Sequence, residues 1–178
     1  MISLHRKKLR SRLNFFEKHP DIGVIYTDAI IIDSDGNVIK YYRCPDWNKK
    51  EWLFNHYIIM SSVLIRRKIL NIAGTYYDET LKTCEDLDLL LRLSNITKFK
   101  RIPEFLTYYT IHDKNLSRVQ VLMFDINRIR VFYKYKLLLP LLHSVFVFIR
   151  NQVISKLPII GPAYEKISKK FKKHHFWE

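Results

Sequence analysis

The chain has 178 residues, 48% hydrophobic and 14% aromatic, which excludes a disordered chain and suffices for one domain with a real core. Only 4 glycines occur, with no GxGxxG or Walker-type run, which excludes a glycine-rich phosphate loop. The net charge of +14 is uneven: residues 1–113 hold 18 Lys/Arg against 14 Asp/Glu, and residues 114–178 hold 13 against 3, so the C-terminal third favours an anionic partner.

Residues 3–19 read as a basic helix with Leu4, Leu9, Leu13 and Phe16 on one face, stopped at His19-Pro20. The β-branched run 22–33 predicts a strand, and Asp35-Gly36 predicts the turn of a hairpin returning through Val38 to Tyr42. Residues 43–60 predict a loop and a short helix carrying large aromatics, among them Trp47 and Trp52. Residues 61–70 begin as a short buried strand and turn helical near Arg67, and 73–81 read as an irregular loop. A helix follows over "EDLDLLLRLS", with Thr83 and Asp86 spaced as a capping box. Residues 98–112 predict a strand with Pro103 at an edge or bend, followed by a loop over 113–118.

From residue 119 the character changes, so the predicted division is 1–118 and 119–178. Residues 119–139 and 141–156 predict two helices, the second bounded by Pro140 and Pro158, before a tail in which Tyr164, Ile167 and Phe171 oppose five lysines. The apolar run 137–149 has 13 residues, short of the roughly 20 a membrane-spanning helix needs. The N-terminal residues carry charge without the apolar segment of a secretion signal. Cys44 and Cys84 have no zinc-site spacing, and a reducing compartment is the default for them.

Two Asp-x-Asp triplets bear on chemistry. Asp33-Ser34-Asp35 runs into Gly36-Asn37 between two strand patterns, so turn formation accounts for it. Glu85, Asp86 and Asp88 admit two readings. Acids suit the first turn of a helix, and Asp88 stands four residues from Arg92, a natural surface ion pair. An aspartate there is also placed to reach a cleft and act as general base on a hydroxyl. The aromatics of 43–60, Trp52 among them, offer a wall for a sugar ring. His112, at a strand end, is either a structural residue or a group able to touch a metal or diphosphate.

Three stretches in this order, "FFEKHPDIGVIYTDAIIIDSDGNVI", "SSVLIRRKILNIAGTYYDETLKTCEDLDLLLRLS" and "LTYYTIHDKNLS", resemble the acceptor-side, C-terminal half of family-2 glycosyltransferases of the GT-A fold, over about residues 5–118. The resemblance implies an α/β fold: a partial, Rossmann-like GT-A half-domain with a mixed sheet, followed by C-terminal helices. It implies transfer of a sugar, with inversion, from a nucleotide-sugar donor to a polysaccharide or lipid-linked acceptor. It implies that Asp86 is the catalytic base with Glu85 beside it, that Asp28 lines the cleft, and that His112 assists a metal or diphosphate. An arginine usual near Tyr109 in that family is absent. The family also implies a divalent metal, Mg or Mn, held by an Asp-x-Asp that would lie ahead of Met1 together with the nucleotide-binding strands.

The expectation is therefore a transferase that is incomplete without a donor-binding half. A partner chain or self-association would cover that half, and a non-catalytic binding or assembly subunit is the alternative. The basic C-terminal segment predicts either an anchor on an anionic membrane surface or an ordinary core helix with a solvated tail. No helix-turn-helix, zinc-finger or RNP-like pattern supports nucleic acid as a polymer partner. The expected location is cytoplasmic, with the cytoplasmic membrane face as its variant.

Overall fold

The computed structural model describes residues 6–74, 76–111 and 121–152. The chain divides into two compact units, whose described residues are 6–81 (less 75) with 85–111, and 82–84 with 121–152. The first is α/β with a four-stranded mixed sheet, and the second is helical.

In the first unit, α1 (Arg6–Lys18) leads into β1 (Ile22–Ile32). β1 is apolar and β-branched along its length, as a strand covered on both faces must be, and nine of its eleven residues are buried. It is the centre of the sheet. β2 (Val38–Tyr42) pairs antiparallel with its C-terminal half, β3 (Leu64–Ile65) pairs antiparallel at Val24 and Ile25, and β4 (Lys98–Thr110) runs parallel along its other side. Phe16, Ile22, Ile25 and Ile102 form a core cluster between α1 and the sheet.

The β1–β2 turn is built by Asp33, whose carboxylate accepts from the N–H groups of Asp35 (2.9 Å) and Asn37 (2.8 Å) and from the Asn37 amide. The first Asp-x-Asp is thus turn chemistry. Arg66 donates to the carbonyls of Ile22 (2.7 Å), His19 (3.0 Å) and Phe16, where a cation neutralises the carbonyl end of α1. Pro103 falls where the β1–β4 register jumps from Thr27–Ile102 to Asp28–Phe105, a bulge on which its missing N–H disrupts nothing.

Between β2 and β4 lie α2 (Lys49–Asn55), a short 3₁₀ turn (Met60–Ser62), α3 (Arg67–Ala73) and α4 (Glu85–Leu93). Asn48 caps α2 by accepting from the Glu51 N–H at 3.2 Å. Leu87, Leu89, Leu90, Leu91 and Leu93 are all buried, so α4 is surrounded by packing and cannot shift without opening the core. Arg12 on α1 is also buried. Its Nη2 donates to the Leu106 carbonyl (3.1 Å) and the Thr107 hydroxyl (2.9 Å), and burial lowers its pKa.

The helical unit contains α5 (Val121–Lys134) and α6 (Leu138–Gln152). The chain leaves α5 through Lys136 at φ 53°, and the Leu137 N–H donates back to the Phe132 carbonyl at 3.0 Å. This is the left-handed helix stop that glycine usually supplies. The expected boundary at Pro140 is corrected: α6 begins at Leu138, and Pro140 occupies its first turn, where a missing N–H breaks no helical bond.

Candidate active site

α4 opens directly on the carboxylates. Cys84, the residue before it, has φ 63°, a left-handed conformation that costs a non-glycine residue about 1–2 kcal/mol. The Asp86 Oδ1 accepts from the Leu87 N–H at 2.8 Å. Burial, and secondarily the charge of Glu85, push the Asp86 carboxyl above the usual aspartate range, while the Leu87 N–H pulls the other way. A desolvated carboxylate with a raised pKa is a stronger proton acceptor than an exposed one.

The predicted capping box is not formed. The Thr83 hydroxyl accepts from the Asn127 amide at 3.0 Å, and Asp86 bonds within its own first turn. The Asp88–Arg92 pair is present at 2.9 Å, yet it is no surface pair: Asp88 is 0% exposed. Arg92 also donates to the carbonyls of Ala73 (3.0 Å) and Tyr76 (3.1 Å), fixing the loop after α3 against α4.

That loop brings Tyr77 to the carboxylates, with Tyr76 next to it in the chain. Tyr76 and Tyr77 are 53% and 44% exposed. The Tyr77 phenol is pushed up, first by partial burial and then by the negative charges of Asp86 and Glu85. An exposed aromatic face beside a carboxylate pair suits a sugar ring, whose apolar face stacks while its hydroxyls bond. Sequence reasoning treated 73–81 as an irregular loop and missed both residues. The adjacent tyrosines, a few residues ahead of the acidic cluster, were the available signal.

The other predicted site residues are placed differently. Asp28 is 1% exposed, and Arg101 grips it through two bonds of 2.8 Å while the Cys44 N–H donates to it at 3.0 Å. Its carboxylate is engaged inside the fold. Nearby, the Cys44 thiol is pushed up to about 12, chiefly by burial and then by Asp28, so it is no nucleophile. Trp52 is 2% exposed, with Trp47 at 5.6 Å between ring centroids and Trp47 stacked on Phe99 at 4.2 Å. The expectation of Trp52 as a sugar-stacking wall is corrected, because it is a core aromatic. His112 lies outside the described residues.

Among the described residues, no group of three His, Cys, Asp or Glu side chains is arranged to hold a metal ion. The divalent ion that the resemblance implies therefore has no fitted set of ligands there. Two surface hollows, one by Gly23 and Thr97 and one between α1 and Glu104, include none of Asp28, Trp52, Glu85 or Asp86.

No family model matches the chain. It is 31% identical, over 121 residues, to an uncharacterized glycosyltransferase of Methanocaldococcus jannaschii. The match covers 64% of this chain and 41% of that protein, so the chain spans less than half the length of the curated relative it matches. The crystal structure of S. aureus TarS aligns with 88% of this chain and 29% of its own, with a TM-score of 0.49 and 15% identity.

Proposed function

We propose that the chain supplies the acceptor-side half of a glycosyltransferase of the GT-A type and that Asp86 is its general base. The observation that carries this reading is the desolvated, pKa-raised carboxylate of Asp86 at the start of a rigidly packed helix, next to Glu85 and the exposed Tyr77 ring. The similarity to a protein named a glycosyltransferase supports the same class.

In this reading an acceptor hydroxyl, from a polysaccharide or a lipid-linked sugar, is held against Tyr76 and Tyr77. Asp86 takes its proton as the acceptor oxygen bonds to the anomeric carbon of the donor. The bond from that carbon to the nucleoside diphosphate breaks, and the diphosphate leaves with the electron pair. One in-line displacement inverts the anomeric configuration. Glu85 keeps the Asp86 pKa high by repulsion, and the Asp88–Arg92 pair holds the tyrosine loop in place.

The test is transfer from labelled nucleotide sugars to oligosaccharide and polyprenyl-phosphate-sugar acceptors. The chain is assayed alone and co-expressed with the coding sequence directly upstream. Asp86→Asn is expected to reduce transfer at least about 10²-fold, the low end for a lost general base. Transfer that survives Asp86→Asn contradicts the assignment. No transfer in either format favours a non-catalytic assembly subunit.

A further inference from the structure

The α5–α6 unit buries Val131 and Phe132 but leaves much of its apolar surface uncovered. Its buried positions include polar residues. Asp125, Asn127 and Ser144 are each at most 3% exposed, Asp125 pairs with Arg128 at 2.8 Å, and Asn127 donates to Thr83 at 3.0 Å. Its exposed positions include a run of large apolar side chains. On α6, Leu138, Leu139, Leu142, Phe146 and Ile149 are 44–69% exposed. At 3.6 residues per turn they fall within an arc of about 100°, which is one continuous stripe. α5 repeats the pattern with Leu122, Ile126 and Tyr133, which are 37–75% exposed.

The charge on this unit has one sign. Among its described residues Asp125 is the one carboxylate, and it is buried, whereas Lys82, Arg130, Lys134 and Lys136 are exposed. Residues 153–178 add six lysines against two glutamates in sequence. An apolar stripe of this kind is an unusual surface for a soluble helix pair. Among the described residues no helix is long and apolar enough to cross a membrane.

From these observations we infer that the exposed stripe of α5–α6 seats in the interface of an anionic lipid bilayer. Leu142 and Phe146 enter the acyl boundary, and the lysines and arginines face the lipid phosphates. Apolar area and positive charge together are what an interfacial helix needs, because each alone binds weakly. The occupant is a lipid surface rather than a second protein chain, since a unit whose described residues expose cations and no acid repels its own copy and matches phosphate headgroups. The inference is independent of the transfer chemistry, and its test reads no catalysis.

The experiment is flotation of the full chain with phosphatidylcholine vesicles, with and without phosphatidylglycerol, for the wild type and for Leu142→Asp/Phe146→Asp. Both positions are exposed, and circular dichroism checks that the variant remains folded. Ile72→Asp, at an exposed position of the other unit, is the control. The expected result is binding that requires phosphatidylglycerol, falls about tenfold or more in the double variant, and is unchanged in the control. Three results overturn the inference: no binding to anionic vesicles, binding equal in wild type and double variant, or a wild-type oligomer that the double variant converts to a monomer without any vesicle binding.

Discussion

A carboxylate able to take a proton from a sugar hydroxyl must be kept partly out of water, and Asp86 carries the consequence for stability. Its pKa is raised in the folded chain, so the fold favours the protonated form. The stability associated with that form is complete below the ordinary aspartate range and is lost as pH rises through the raised folded pKa. Asp86→Asn, which cannot ionise, is therefore expected to raise the urea midpoint at neutral pH, with the gain vanishing as pH falls through about 4. A variant less stable than wild type at pH 7 would show that the carboxylate is instead held by favourable contacts. Asp28 is held instead by a buried ion pair with Arg101. Arg101→Met leaves its 1%-exposed carboxylate without its bidentate partner and is expected to cost about 3 kcal/mol, read from urea unfolding. Asp28 was legible as a special residue from the "YTD" strand, but its partner was not. Arg101 is 73 residues away, and nothing in local spacing links the two.

Elements set by local chemistry were the legible ones. The Asp33–Asn37 turn, the return strand and the change from strand to helix at Arg67 all follow from side chains within a few residues of one another. Elements whose ends depend on distant partners were misread. Thr83 was expected to cap α4, yet its hydroxyl serves Asn127, 44 residues on. Trp52 was expected in a cleft, and the packing of Trp47 and Phe99 draws it into the core. Two substitutions test how tightly the elements are set. A β-carbon on Gly23 would lie 2.2 Å from the Thr97 hydroxyl oxygen, so Gly23→Ala is expected to destabilise by about 1–3 kcal/mol, partly relieved by Thr97→Ala. Lys136 occupies a left-handed helix stop, so Lys136→Gly is expected to stabilise by about 0.5–1 kcal/mol in the same unfolding assay.

At the scale of the molecule, the α/β class with a mixed sheet and C-terminal helices was legible because alternation and helical periodicity change visibly along the chain. The exposed apolar stripe of α5–α6 was not, since periodicity reports that a helix has an apolar face and not whether that face is covered. The excess of positive charge in the same region separates two partners. Binding to duplex DNA is expected to be non-specific at low salt and to fall steeply by about 0.2 M, because it rests on counterion release alone. Binding to anionic vesicles keeps its apolar contribution at that salt. Fluorescence anisotropy with DNA and flotation with vesicles, run over the same salt series, compare them. DNA binding that outlasts vesicle binding would reverse the assignment of the basic surface.

The assignment of Asp86 as base is tested most directly by the pH dependence of glycosyl transfer in wild type and Asp86→Asn, measured on whichever preparation transfers sugar. The base acts when deprotonated, so wild-type transfer should decline as pH falls through a midpoint above the ordinary aspartate pKa of about 3.9, and Asp86→Asn should lose that limb with the activity. An acid limb of the same midpoint and amplitude in Asp86→Asn would contradict the account, because another group would then be taking the proton.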